Sequence, residues 1–207
     1  MESRALRIQS DKNRGISISI IPGHFATTHS HVNYYIDMTE IKHRHDMAMQ
    51  AAECLSKKYR EEGAAVDTII CMDGCEVIGA FLADYVTAGD TPVNVITPEY
   101  NTNGQLLFRD NVQKMIWGKS ILLLVASATT GKTINRALEC IKYYGGRVVG
   151  ISAIFSAIGE MGGVGIDPIF TSGDLPNYRT YSFQDCPLCK GGRKIDAIVN
   201  SYGYSRM

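Results

Sequence analysis

The stretch with the clearest chemical content is ILLLVASATTGKT, residues 121–133. An apolar run of strand length passes into small and hydroxyl-bearing residues, then Gly131, and a helical pattern begins. The first N–H groups of a helix have no partner within it and lie at the positive end of its dipole, so they bind phosphate readily. We therefore predict a phosphate site made of Ser127, Ala128, Thr129, Thr130, Gly131, Lys132 and Thr133. A strand–turn–helix in which the threonines only cap the helix is the alternative.

Two carboxylates, Asp73 and Glu76, follow another apolar stretch at residues 67–72. They could hold magnesium through water, because this cation prefers oxygen ligands and keeps several of its waters. Glu76 could equally open a helix, where a negative charge is favourable. Both interpretations stay open at this point.

Metal-ligating residue types occur at both ends of the chain. Histidines 24, 29, 31, 43 and 45 lie near the N-terminus, and Cys186 and Cys189 have the spacing of a zinc-ligand pair. One such pair supplies only two ligands. We therefore predict a reduced turn shaped by Pro187, no metal bound by the protein alone, and histidines that are polar loop residues beside a hairpin.

The periodicity indicates the elements that must position these residues. Strands are predicted at 16–21, 32–36, 67–72, 93–97, 121–125, 148–155 and 169–170, and helices at 45–60, 77–85 and 133–144. The alternation of strand and helix predicts an α/β fold with a parallel sheet covered by helices on both faces. Such sheets bind ligands beyond the carboxyl ends of their strands. The segment 98–117 is about twenty residues long, which is typical of a lid.

Length and composition favour one soluble globular domain. The chain has 207 residues, a formal net charge of zero and 45% hydrophobic residues. We expect no nucleic-acid partner, because no basic excess is present, and no membrane partner, because no apolar run approaches the roughly 20 residues that span a bilayer. Scattered cysteines and the lack of an apolar signal segment lead us to expect a cytoplasmic protein.

The loop at residues 126–133 is similar to the phosphate-binding loops of two protein families. The segment fits a relaxed Walker pattern, with Ala126 in place of the first glycine. It also resembles the loop of phosphoribosyltransferases that binds phosphoribosyl diphosphate (PRPP), in which an apolar strand and two acids precede Thr-Thr-Gly. Val125 and Ala126 occupy the positions of those acids.

The rest of the chain resembles the type I phosphoribosyltransferases, and the orotate phosphoribosyltransferases in particular. HFATTHSHVNYYIDM looks like their N-terminal hairpin, DTIICMDGCEVIGAFLA like their pyrophosphate loop, and FQDCPLCKGG like the ending of many bacterial members. These segments occur in the family's order over residues 15–192. A Walker nucleotide hydrolase explains none of them.

The resemblance implies one phosphoribosyltransferase-like domain over residues 1–207, with an N-terminal hairpin region (1–44), an α/β core (45–172) and a C-terminal extension (173–207). It implies PRPP or a nucleotide as the small-molecule ligand, Mg²⁺ as the cofactor and a homodimer, which the apolar hairpin would help to form. By position, Asp73, Gly74, Cys75 and Glu76 line the pyrophosphate side, and residues 98–117 form the lid. The lid's candidate cations are Arg109 and Lys114, and His31 is the candidate on the base and dimer side.

The departures from the family pattern concern ligand contacts. Val125 and Ala126 cannot bind ribose hydroxyls as carboxylates do, and the strand at 148–155 leads into Ser-Ala-Ile where the orotate enzymes have Asp-Arg. The sequence therefore predicts transfer of a phosphoribosyl group from PRPP to an orotate-like nucleobase. The alternative is a non-catalytic PRPP- or nucleotide-binding protein on the same fold, and a P-loop-like hydrolase is a third hypothesis.

Overall fold

The computed structural model describes residues 2–89 and 91–207. Numbered in chain order, its strands are β1 (Leu6–Gln9), β2 (Ser17–Ala26), β3 (His31–Asp37), β4 (Thr68–Cys71), β5 (Asn94–Ile96), β6 (Glu99–Tyr100), β7 (Leu106–Leu107), β8 (Ser120–Ala128), β9 (Arg147–Ser156), β10 (Glu160–Met161), β11 (Val164–Thr171), β12 (Thr180–Tyr181), β13 (Ala197–Asn200) and β14 (Gly203–Arg206). The α-helices are α1 (Thr39–His43), α2 (His45–Glu61), α3 (Glu76–Val86), α4 (Asp110–Gln113), α5 (Lys132–Tyr143) and α6 (Pro187–Lys190), and a 3-10 turn covers Glu2–Arg4.

The larger sheet carries the predicted α/β core. Its strand order is β10-β11-β9-β8-β4-β5, and β11, β9, β8, β4 and β5 are parallel. Strand β8 lies in the interior of the sheet, and Ile121–Val125 are at most 1% exposed, as a two-sided apolar run predicts. The carboxyl ends of β4, β8 and β9 therefore meet at one edge.

The helices cover the two faces of this sheet as the apolar spacing predicts. Met47 of α2 is buried, and Ala51, Leu55 and Tyr59 belong to the core that α2 and α3 share with one face. Ile134, Ala137 and Ile141 of α5 are buried in a second core on the other face. Among the described helices, none has the length and apolarity that a bilayer crossing requires.

The smaller sheet joins the two ends of the chain. Strands β2 and β3 form the predicted hairpin, and the order of this sheet is β12-β3-β2-β13-β14, with β1 on the other part of β2. The apolar side chains of the hairpin, including Ile18, Ile20 and Phe25, are buried within the chain itself. This burial accounts for the apolar residues of the hairpin without a dimer, and the homodimer stays a prediction.

The segment between β5 and β8, for which the sequence predicts one long loop, contains two short strands and a short helix. Strands β6 and β7 pair in a short hairpin, and α4 follows. The turn is closed by the Asn101 side chain, whose Oδ1 accepts hydrogen bonds from the backbone N–H groups of Asn103 and Gln105, both at 2.9 Å.

Candidate functional site

A cleft opens at the carboxyl edge of the larger sheet. One wall is the segment from β8 into α5, a second is the β2–β3 hairpin, and the third is the turn between β13 and β14. Its lining residues include Thr27, Thr28, His29, Tyr34, Tyr35, Asp73, Ser127, Ala128, Thr129, Thr130, Gly131, Lys132, Thr133, Phe155, Tyr178, Asn200, Ser201 and Tyr202. The cleft therefore lies where a parallel sheet is expected to bind its ligand.

The start of α5 presents free hydrogen-bond donors to this cleft. Gly131 precedes the helix in the left-handed conformation (φ 73°), and no side chain caps the helix N-terminus. Within residues 2–89 and 91–207, the hydroxyls of Thr129, Thr130 and Thr133 and the Lys132 ammonium form no hydrogen bond or ion pair with another side chain or the backbone. An anion in the cleft can therefore accept bonds from hydroxyls and from the first N–H groups of the helix.

Positive charge collects at this end of the cleft. His29 lies near both Lys132 and Arg136, and no carboxylate within the described chain pairs with either cation. Burial, followed by the charges of those two side chains, lowers the pKa of His29 from its ordinary 6.5. An anionic ligand would relieve the repulsion among these groups, which favours a phosphate over a neutral ligand.

Asp73 lines the cleft from the turn after β4 and has an unusual backbone conformation. Asp73 and Gly74 are both left-handed, with φ of 59° and 77°. Outside glycine this conformation is uncommon, and it occurs most often at Asn and Asp in tight turns and functional sites. Burial raises the pKa of the Asp73 carboxyl, while a hydrogen bond from Ser201 and the charge of Lys42 act in the opposite direction.

The buried Lys42 ammonium joins two turns that border the cleft. Lys42 is 2% exposed, and its Nζ donates to the backbone carbonyl of Asp73 at 3.0 Å and also to that of Ser201. The Tyr202 ring lies 5.6 Å from the same ammonium. Lys42 thereby fixes the turn after β4 relative to the turn between β13 and β14.

Similar proteins were found by sequence and by structure. No family model matches the chain. An orotate phosphoribosyltransferase of Wolinella succinogenes is 27% identical over 190 residues, covering 85% of this chain and 89% of the relative. One of Desulforamulus reducens is 24% identical over 177 residues, with 84% and 86% covered.

Solved structures of phosphoribosyltransferases have the same architecture as this chain. A phosphoribosyltransferase from Corynebacterium diphtheriae aligns with a TM-score of 0.55 at 16% identity, covering 75% of this chain and 90% of that one. The orotate phosphoribosyltransferase of Mycobacterium tuberculosis in complex with PRPP aligns with a TM-score of 0.53 at 14% identity, covering 69% and 83%. The chain has the type I phosphoribosyltransferase fold.

On the phosphate side of this phosphoribosyltransferase fold, all seven predicted loop residues lie at the cleft. Ser127 through Thr133 line it as one continuous segment, because β8 ends at the sheet edge and α5 begins there. The identity of the ligand that they bind remains a prediction.

On the pyrophosphate side, only one of the four predicted residues lines the cleft. Asp73 does so, and Gly74 lies beside it in the turn. Cys75 is fully buried, which raises the pKa of its thiol well above the ordinary value. Glu76 is exposed at the start of α3 and accepts a hydrogen bond from Thr97 Oγ1 at 3.2 Å. The prediction that Cys75 and Glu76 line this side is wrong for this structure, because the Cys75 thiol is buried in the core and the Glu76 carboxylate turns toward Thr97.

The lid cations predicted from the family pattern also lie elsewhere. Arg109 forms an exposed ion pair with Glu99 at 2.7 Å, and Lys114 is exposed; neither lines the cleft. Both residues flank α4, which follows the β6–β7 hairpin. That residues 98–117 close over the site stays a prediction.

His31 is a correction to the sequence interpretation. It is 7% exposed and packs against His24, whose ring centroid lies 4.9 Å away, and against the pair Cys186 and Cys189. Burial and the neighbouring His24 lower the pKa of His31. His29, two residues earlier in the loop, reaches the cleft instead. The prediction that the N-terminal histidines are polar loop residues is wrong for His24 and His31.

The described residues of β8 that line the cleft, Ser127 and Ala128, include no carboxylate. Strand β8 stays paired with β9 through Ala128, and Val125 and Ala126 face the two opposite cores at 1% and 0% exposure. The acids of the family pattern are thus replaced by packed apolar side chains, which have no polar atom to offer.

Proposed function

We propose that this protein binds PRPP in the cleft and transfers its phosphoribosyl group to a nucleobase, with release of pyrophosphate. The observation that carries the proposal is the set of unpaired hydroxyl and ammonium donors at residues 129–133, at the sheet edge of a type I phosphoribosyltransferase fold. The relatives named orotate phosphoribosyltransferase support it over more than four fifths of the chain.

Each wall of the cleft has a part in binding. Thr129, Thr130 and Thr133, with the first N–H groups of α5, would hold the 5′-phosphate, because these donors converge on one side of the cleft. Lys132 would add a point charge to the same phosphate. Asp73, on the turn after β4, would face the diphosphate end.

Magnesium fits this arrangement as a cation that the substrate brings with it. Among the described lining residues Asp73 is the one carboxylate, and Mg²⁺ is usually bound by one or two carboxylates together with substrate phosphates. When bound, Mg²⁺ would neutralise part of the diphosphate charge and so ease its departure. The protein's own contribution is the orientation of Asp73, which Lys42 maintains through the backbone.

The nucleobase would lie toward Tyr34, a partly exposed ring in the cleft lining, with the buried Phe155 and Tyr178 rings behind that wall. Flat aromatic side chains suit stacking with a heterocyclic base. No arginine follows β9 to meet the carboxylate of orotate, because Ser156, Ala157 and Ile158 stand there. We therefore propose a nucleobase substrate in general, with orotate a poor one.

A second candidate function is a non-catalytic protein that binds PRPP or a nucleotide on the same fold. The buried Val125 and Ala126 favour it, because the ribose hydroxyls lose the acceptors that orient them for attack. The P-loop-like hydrolase has no comparable support, since the fold accounts for the loop without it.

A thermal-shift panel separates these candidates. PRPP, orotate, nucleoside monophosphates and ATP would each be tested with and without magnesium. A ligand at 100 times its dissociation constant stabilises the fold by about 2.7 kcal/mol, which is about 5–10 °C for a chain of this length. PRPP with magnesium should give the largest shift. A shift by ATP alone would contradict the proposal, and a pyrophosphate-release assay with several bases then distinguishes enzyme from binding protein.

We also propose that the protein is a homodimer in the cytoplasm, as the resemblance implies. The dimer would be detected by light scattering at micromolar concentration, where a monomeric mass would contradict it. Fractionation of the native organism would test the location.

A further inference from the structure

A second site lies outside the cleft, where four metal-ligating side chains converge. The ligand atoms of His24, His31, Cys186 and Cys189 all lie within 4.8 Å of one another. His24 and Cys186 are fully buried and His31 is 7% exposed, while Cys189 closes the group on the solvent side. The proposed function makes no use of these residues.

The hydrogen-bonding capacity of His24 is too small for the contacts it makes. Its Nδ1 lies 2.8 Å from the Arg193 carbonyl oxygen, which can only accept, so Nδ1 carries the proton and Nε2 has one lone pair. Three atoms approach that lone pair: His31 Nδ1 at 3.1 Å, Cys186 Sγ at 3.5 Å and Cys189 Sγ at 3.6 Å. One lone pair cannot accept three hydrogen bonds, so hydrogen bonding alone does not explain the convergence.

We propose that His24 Nε2, His31 Nδ1, Cys186 Sγ and Cys189 Sγ bind one structural zinc ion. Zinc–nitrogen bonds of about 2.0–2.1 Å and zinc–sulfur bonds of about 2.3 Å at tetrahedral angles place ligand nitrogens about 3.3 Å apart and nitrogen and sulfur about 3.6 Å apart. The nitrogens are 3.1 Å apart, three of the four nitrogen–sulfur separations are 3.3, 3.5 and 3.6 Å, and the remaining pairs lie within 4.8 Å. Two thiolates and two imidazoles form a closed set that suits zinc.

The surrounding structure holds His24 in the orientation that a zinc ligand needs. A register shift between Pro22 and Phe25 interrupts the pairing of β2 and β3, and such bulges re-aim side chains. The Asp196 carboxylate accepts a hydrogen bond from the backbone N–H of His24 at 2.8 Å. The Arg193 carbonyl oxygen accepts one from the ring Nδ1–H and so fixes the tautomer of the imidazole. A histidine that binds zinc through one ring nitrogen usually donates a hydrogen bond from the other nitrogen, and this bond fixes the orientation of the ring.

The sequence-based expectation of no zinc counted only two ligands, and that count is wrong. Cys186 and Cys189 come together because Cys186 precedes the short helix α6, which begins at Pro187, and Cys189 lies in its first turn. The other two ligands, His24 and His31, come from the hairpin. His24 precedes Cys186 by 162 residues in the sequence. No local spacing in the sequence connects these segments.

The zinc site would stabilise one wall of the cleft. His24 and His31 lie on either side of the loop at residues 27–30, which contributes Thr27, Thr28 and His29 to the cleft lining. Zinc bound to both histidines would fix the two ends of this loop and join the hairpin to the C-terminal segment. Its role is structural, since four protein ligands leave no open position for substrate.

To test this proposal, the full, untagged chain is incubated with zinc and then dialysed. Its zinc content is measured by elemental mass spectrometry. We expect about one zinc per chain, the stoichiometry of a single four-ligand site. Cys189→Ser and His24→Ala should lose it. The matched controls Cys140→Ser and His43→Ala, which change the same residue types outside the cluster, should retain it.

Cobalt substitution keeps the proposal testable if the ligand variants do not fold. Native chain stripped by a chelator and reloaded with Co²⁺ should show the intense visible bands of tetrahedral cobalt and a sulfur-to-cobalt charge-transfer band. A native chain that retains no zinc after loading would overturn the proposal. So would full zinc content in a folded Cys189→Ser variant, or a cobalt spectrum without sulfur ligation.

Discussion

Replacement of Gly131 by alanine tests the phosphate loop with the smallest possible change. An L-residue in the left-handed conformation costs about 1–2 kcal/mol, and the reduced freedom of the unfolded chain returns about 0.4–1 kcal/mol. The new Cβ would also clash with Met161 Cε and lie 2.9 Å from Ile158 Cδ1, so the ends of these two flexible side chains must shift. We expect stability to fall by about 1 kcal/mol, or about 2–4 °C in melting temperature.

The affinity for PRPP should fall by more than stability alone explains. If the loop relaxes to avoid the strain, the ligand must restore the strained conformation, which costs about 1–2 kcal/mol or 5- to 30-fold in affinity. Gly63→Ala is the matched control, because Gly63 has φ of 60° and nothing within 4 Å of an added Cβ. It should melt lower to a similar degree. Titration calorimetry that finds native PRPP affinity in Gly131→Ala would refute the reasoning about this loop.

Three further predictions concern the cleft. Burial and the charges of Lys132 and Arg136 lower the pKa of His29 in the free protein, and a bound phosphate would favour the protonated ring, so PRPP affinity should weaken as pH rises past the pKa of the free protein's His29. Calorimetry should show a smaller pH dependence in His29→Gln, and equal dependence would refute the contact. Lys42→Met leaves the carbonyls of Asp73 and Ser201 without their donor, at a cost of about 1–3 kcal/mol each, so thermal unfolding should show a large loss that the exposed control Lys57→Met lacks. Orotate turnover in a pyrophosphate-release assay should be weak: each missing carboxylate–hydroxyl bond stabilises by about 1.5–3 kcal/mol, so two are worth on the order of a thousandfold. Rapid turnover would show that other groups contact the ribose.

The local features of this fold could be predicted from the sequence. The apolar run at 121–125 and the spacing of Met47, Ala51, Leu55 and Tyr59 depend only on neighbouring residues, and they indicate a buried strand and an amphipathic helix. The position of the loop at the sheet edge follows from the strand–turn–helix order.

The long-range features could not be predicted in the same way. The pairing of β13 with β2 joins Ala197 to Phe25, and no periodicity in either segment specifies the other. The same holds for Lys42, which is buried only because two distant turns meet around it. One missed feature had a local signal, since Asn103-Gly104 is a common hairpin turn pair within the segment taken for a single loop.

The most direct test of the central claim is a crystal structure of the protein soaked with PRPP and magnesium. We predict that the 5′-phosphate lies within hydrogen-bond distance of the backbone N–H groups and hydroxyls of residues 129–133, with the diphosphate toward Asp73. PRPP bound elsewhere, with the loop at residues 129–133 empty, would contradict the account.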